Sequence, residues 1–204
     1  PDCLFYANDG IKSIVIPDSV QSIGEDAFIH CDNLSSVKIG KGVQEIGWSA
    51  FRDCINLLSI EIPDNVTELG SGVFQGCVRL SDVIIGKGIT RINRYSFKGC
   101  VALSDLIIPD SVTSIGERAF GEAAIKSITF GSGLTDIEEY AFEKCKVSVI
   151  EIPDSVQNIG NNAFAAAGIE ELTIGNGVQN IYSNVFYACV KLKTVKLGDG
   201  VQTI

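Results

Sequence analysis

Leu34-Ser35-Ser36-Val37-Lys38-Ile39-Gly40-Lys41-Gly42-Val43-Gln44-Glu45-Ile46-Gly47-Trp48-Ser49-Ala50-Phe51-Arg52-Asp53-Cys54 is one copy of a unit whose spacing returns along the whole chain. Phenylalanines stand at 5, 28, 51, 74, 97, 120, 142, 164 and 186, first 23 and later 22 residues apart, and only Phe130 lies outside the series. A constant period of this length means stacked coils, because so short a unit has no second layer against which to bury its own apolar face. With the first leucine-like residue as position one, units begin at Ile11, Leu34, Leu57, Leu80, Leu103, Ile125, Val147, Ile169 and Leu192. Eight complete units run from 11 to 191, with partial units at 1–10 and 192–204. Both ends break within a unit and carry no polar capping coil, so residues 1–204 are expected to form a single solenoid cut from a longer chain.

Local patterns give each coil its expected parts. Positions four and six, as in Val37-x-Ile39, are apolar two apart, which predicts a short strand. Proline or glycine at position seven ends it, through Pro17, Pro63, Pro109 and Pro153 or through Gly40, Gly86, Gly131, Gly175 and Gly198. Positions ten and thirteen turn inward along a second extended stretch. Positions seventeen, eighteen and twenty-one would share a face in one or two helical turns. The expected fold is therefore an α/β solenoid: a parallel sheet with one short strand per 22–23-residue coil, short helical turns, and a second extended segment on the other side. Coils about 4.8 Å apart would stack Phe5, Phe28, Phe51, Phe74, Phe97, Phe120, Phe142, Phe164 and Phe186 into an internal spine.

Composition narrows the function classes. The 204 residues are 46% apolar and carry a net charge of −9, with no cluster of lysine or arginine, so a nucleic-acid partner is disfavoured. No run of apolar residues is long enough to cross a bilayer, and the N-terminus lacks the basic and apolar regions of a signal peptide. Nothing in the pattern calls for a cofactor.

The pattern L-x-x-I-x-I-P-x-x-V-x-x-I-G-x-x-A-F-x-x-C, as in Leu57-Leu58-Ser59-Ile60-Glu61-Ile62-Pro63 through Phe74 and Cys77, resembles the BspA-like leucine-rich repeats across essentially the full length. That resemblance implies a secreted or cell-surface protein of bacteria or protozoan parasites and, for some members, adhesion to host matrix proteins. It brings no catalytic motif. Glycine at position fourteen is replaced by Asn93, Glu138 and Tyr182, and cysteine at position twenty-one by Ala123 and Ala167. Larger residues at position fourteen suggest a site facing solvent, and alanine for cysteine suggests a site for a small apolar group.

Candidate chemistry is sparse. Of seven cysteines, six occupy position twenty-one: Cys31, Cys54, Cys77, Cys100, Cys145 and Cys189. Disulfides or a metal between neighbouring coils would use them, but no C-x-x-C pair exists and the chain has one histidine, so a buried thiol ladder is the better reading. Cys3 is off the ladder and is the candidate accessible thiol. His30 lacks an identifiable nucleophile or orienting partner, which leaves hydrolysis as a weak alternative. Position eight alternates Asp18, Lys41, Asp64, Lys87 and Asp110, as an ion-pair ladder would. Trp48, in a turn, is either a surface anchor or packing for the next coil. The outward strand position five reads Val15, Lys38, Glu61, Ile84, Ile107, Thr129, Glu151, Thr173 and Lys196. This variable face, with Ile84 and Ile107 flanked by Asp82 and Asp105, is the expected site for a protein partner such as a host matrix or surface protein. A passive spacer presenting another domain is the competing expectation.

Overall fold

The computed structural model describes residues 2–204 as a stack of coils in which every strand pair is parallel. The first seven coils contribute two strands each rather than the expected one, and the last two contribute a front strand alone. The front strands are Ser13–Val15, Ser36–Lys38, Ser59–Glu61, Asp82–Ile84, Asp105–Ile107, Ser127–Thr129, Val149–Ile152, Glu171–Ile174 and Thr194–Leu197. The back strands are Ser22–Ile23, Glu45–Ile46, Glu68–Leu69, Arg91–Ile92, Ser114–Ile115, Asp136–Ile137 and Asn158–Ile159. Register advances by one repeat at each pairing, as in Ile14↔Val37 and Ile115↔Ile137, so residues at equal unit positions form rows. Front pairing is interrupted between Asp82–Ile84 and Asp105–Ile107, and again between Ser127–Thr129 and Val149–Ile152.

The apolar rows merge into one continuous core. Its centre is the phenylalanine spine, with successive ring centroids 5.1 Å apart from Phe5 to Phe28 and 5.6 Å from Phe164 to Phe186, and rings near parallel. This offset stacking is a favoured arrangement for aromatic quadrupoles. Phe51, Phe74, Phe97, Phe120, Phe142 and Phe164 are completely buried, each contributing about 1.5–3 kcal/mol by removal from water. Phe130, at position six of its unit, meets the spine edge-on at Phe142, 5.8 Å between centroids.

The α component of the expected fold is corrected: among the described residues there is no helix. The segment around each spine phenylalanine is a run of tight turns. Residues two before and two after the ring have positive φ, as at Asp26 (52°) and His30 (57°) around Phe28, or Tyr140 (57°) and Lys144 (59°) around Phe142. Left-handed residues at both flanks stop helical propagation. The amides are also committed elsewhere. Phe28 N donates to Ala50 O (2.8 Å) and His30 N to Arg52 O (2.9 Å) in the next coil, while Cys31 N closes a turn on Phe28 O (3.1 Å). Intercoil bonding replaces the i→i−4 ladder that a helix needs.

The alternation of proline and glycine coils has a packing cause. A Cβ at Gly86 would lie 2.5 Å from the Ile62 carbonyl oxygen, and one at Gly40 would lie 2.5 Å from the Pro17 carbonyl carbon. Glycine coils therefore nest directly on the backbone of the preceding proline coil. Position eight completes the nest. Asp18 Oδ1 accepts the Lys41 amide (2.8 Å), Asp64 Oδ1 the Lys87 amide (2.8 Å) and Asp154 Oδ1 the Asn176 amide (2.8 Å). The expected ion-pair ladder is thus corrected to a row of carboxylates holding the next coil's backbone N–H, a charge-assisted bond. Where Gly198 follows Gly175, Asn176 Oδ1 takes over as acceptor for the Asp199 amide (2.9 Å), so alternation can break without loss of the bond.

Candidate functional site

The alternation of a strand sends position four inward and positions three and five outward. All nine position-five residues, Val15, Lys38, Glu61, Ile84, Ile107, Thr129, Glu151, Thr173 and Lys196, are exposed on the front strands. Parallel register places Val15 beside Lys38, Glu61 beside Ile84, Ile107 beside Thr129, and Glu151, Thr173 and Lys196 in succession. They form a row along the solenoid rather than a closed site. The row's apolar members are Val15, 69% exposed, and in adjacent coils Ile84 and Ile107, 55% and 71% exposed. Between the two isoleucines lies a shallow depression of about 650 Å³ bordered by Asp82, Lys87, Asp105 and Pro109.

The remaining candidates resolve individually. Cys31, Cys54, Cys77, Cys100, Cys145 and Cys189 are buried free thiols, and Cys3 is an exposed one. Each buried thiol donates to the preceding coil's phenylalanine carbonyl, for example Cys54 Sγ to Phe28 O (3.0 Å) and Cys145 Sγ to Phe120 O (3.0 Å). The position therefore holds a weak donor as well as a small apolar group. Burial pushes the Cys54 thiol up to about 12 and raises the Cys100 and Cys145 thiols further, which keeps them protonated and inert. His30 Nε2 lies 3.9 Å from Asp53 Oδ2, half-exposed, with the Tyr6 ring edge beside it. Neither neighbour is an activated nucleophile. Trp48 is 58% exposed and presents its indole to solvent.

A second concave surface was not anticipated. On the back strands, Arg91 Nη2 meets Glu138 Oε1 at 2.5 Å, while its Nη1 donates to Ser114 Oγ (3.0 Å) and its Nε to Asn93 Oδ1 (3.0 Å). Glu138 Oε2 also accepts the Glu117 amide (3.0 Å), and Asn158 Nδ2 donates to Asp136 Oδ1 (2.7 Å). Tyr182 also lines this surface. The signal for this network was the loss of glycine at position fourteen. Glycine there is a close-approach residue, since a Cβ on Gly116 would lie 2.7 Å from Arg94 N. The solvent-facing reading of that position holds at Tyr182, which is 54% exposed, and is corrected at the other two. Asn93 and Glu138 are half-buried, and their polar heads reach across to neighbouring coils. Asn93 Nδ2 bonds the Leu69 carbonyl, and the back sheet is interrupted between Glu68–Leu69 and Arg91–Ile92.

Among the described residues no helix is long and apolar enough to cross a membrane, and no cluster of histidine, cysteine and acidic residues has the makings of a metal site.

The family model described as BspA type leucine rich repeat region, with six copies, matches residues 1–124 and 90–204. No curated protein matches the chain. Among solved structures, a leucine-rich repeat protein from Bacteroides ovatus ATCC 8483 is 25% identical with a TM-score of 0.79, covering 100% of this chain and 59% of its own. A leucine rich cell surface protein from Faecalibacterium prausnitzii A2-165 is 24% identical with a TM-score of 0.54, covering 95% of this chain and 61% of its own. The leucine rich repeat protein of T. pallidum is 23% identical with a TM-score of 0.59, covering 94% of this chain and 72% of its own. The chain thus spans about three fifths of the length of the first two structures.

Proposed function

Because the chain belongs to the BspA-type leucine-rich repeat family, with matches that together reach every residue, we propose that residues 1–204 act as one macromolecule-binding solenoid of a secreted or cell-surface protein. Proteins of leucine-rich repeat type generally serve as protein-interaction modules. The partner is a protein, bound along the front strands in the manner of adhesion. The observation that carries this reading is the position-five row: nine exposed side chains of varied character laid over a uniform apolar core. A repeat protein needs its inward rows for stability, whereas its outward strand row is free to vary, and variation there generates specificity.

The test compares the wild-type chain with a variant carrying Lys38→Ser, Glu61→Ser, Ile84→Thr and Ile107→Thr against immobilised extracellular matrix proteins and glycans. Wild type is expected to bind at least one protein, and the variant, folded by circular dichroism, to bind it at least about tenfold more weakly. Equal binding by both chains overturns the assignment to this face.

A further inference from the structure

Three departures from the rules of sheet construction coincide at one junction of the front face. Asp82 and Asp105 occupy position three of adjacent coils and border the same depression. Like charges brought close together repel each other. In the flanking coils the same row holds Ser59 and Ser127, which are neutral. Two residues on, Ile84 and Ile107 border that same depression with most of their surface in water. Between these same two strands the front hydrogen-bond ladder is not formed.

Among the described residues no cation pairs with either carboxylate. Among the described residues the Asp105 carboxylate accepts the neighbouring Ser104 hydroxyl. Lys87 also borders the depression, five residues along the chain from Asp82. Local rules broken together mark surfaces shaped for something other than stability.

We infer that this junction receives an extended segment of a protein partner that carries a cationic side chain two residues from an aliphatic one. This rests on the front-face reading above and adds the partner's chemistry. The cation sits over the Asp82–Asp105 pair, and the aliphatic group sits between Ile84 and Ile107. Positions three and five lie about 6.6–6.8 Å apart along a strand, the i to i+2 distance of an extended segment. Charge complementarity selects a basic over an acidic segment, and the apolar pair supplies the desolvated anchor.

The test uses the intact chain and the probe peptide acetyl-GSRSLSG-amide, with acetyl-GSESLSG-amide and acetyl-GSRSSSG-amide as controls. Binding is followed by backbone amide shifts at low and high salt. The expected result is millimolar binding of the first peptide, with shifts centred on the amides of Asp82–Ile85 and Asp105–Ile108. Both controls, and added salt, should weaken it by about tenfold. In the chain, Asp82→Asn with Asp105→Asn should weaken binding to the same degree. The same pair of changes should raise Tm by about 1–3 °C, because a repulsion is removed. Equal binding of the glutamate peptide, shifts elsewhere, or unchanged binding by the asparagine variant would overturn the inference. If the Lys38, Glu61, Ile84 and Ile107 variant loses a matrix protein that the asparagine variant retains, the front face stands and the basic partner falls. If neither variant loses it, both readings fall.

Discussion

Three glycine-to-alanine substitutions, at Gly88, Gly99 and Gly121, separate the reasons for which this fold uses glycine. At Gly88 the built Cβ lies 2.5 Å from the Val66 carbonyl oxygen and closer still to that of Asp64, both rigid backbone of the preceding coil. Removing backbone freedom from the unfolded chain would by itself favour alanine by about 0.4–1 kcal/mol. Against this stands an overpacking cost of about 1–3 kcal/mol, and more where neither partner can yield. Separation of the coils also strains the bond from the Lys87 amide to Asp64 Oδ1, 2.8 Å in the native stack and worth about 1 kcal/mol when disturbed. The net expectation for Gly88→Ala is a loss of about 2–4 kcal/mol. Gly99 has φ of +74° and its Cβ direction meets only the Gly76 backbone, at an ordinary 3.9 Å, so Gly99→Ala should cost only the left-handed penalty of about 1 kcal/mol. Gly121 has neither problem, its Cβ meeting only Arg118 at an ordinary 3.5 Å, so Gly121→Ala should be neutral or stabilise by up to about 1 kcal/mol. Urea unfolding, read by circular dichroism, ranks the three variants, and hydrogen exchange at the Lys87 amide localises the first. A Gly88→Ala variant as stable as Gly121→Ala would refute the claim that intercoil backbone contact dictates the glycine coils.

Other outcomes test the core and its thiols. Phe97→Ala, at a fully buried spine position, should cost about 3–5 kcal/mol in the same denaturation assay, and Phe97→Leu clearly less. In the native chain a thiol reagent at pH 8 should modify Cys3 alone, and the six buried cysteines should react only after unfolding; rapid native reaction of a second thiol would contradict their burial. Because burial raises the folded-state Cys54 value from 9.0 to about 12, its contribution to stability is complete below pH 9. That contribution is lost as pH rises toward 12, since the unfolded thiol ionises first. Thermal unfolding midpoints should therefore decline from pH 9 upward, and a Cys54→Ala variant should decline less.

The repeat period, the inward rows and the phenylalanine spine were legible because each depends on residue type at a fixed spacing, which a one-dimensional pattern records directly. The outward position of Ile84 and Ile107 was legible for the same reason: alternation within a strand decides it. The turn around the spine was misread as helical. Positions seventeen, eighteen and twenty-one fit a helical face equally well, and the pattern does not reveal that Asp26 and His30 would both adopt positive φ. Those angles persist because the Phe28 and His30 amides bond to the next coil, a partner 22 residues away in sequence (Phe28 to Ala50, His30 to Arg52).

The alternating Asp and Lys at position eight likewise looked like paired charges until the stack placed each carboxylate on a backbone amide. What the amino-acid sequence determined by itself was the solenoid: a periodic set of apolar side chains that can be buried only by stacking. The tertiary structure decided what local pattern cannot hold, namely which backbone groups meet across coils. That contact set the glycine coils, replaced helix with turns, and assembled the back-face network of Arg91 and Glu138 from residues 47 positions apart. Hydrogen bonds and steric exclusion between coils act at ångström range in space, and a sequence period fixes only which residues are neighbours, not how closely their backbones approach.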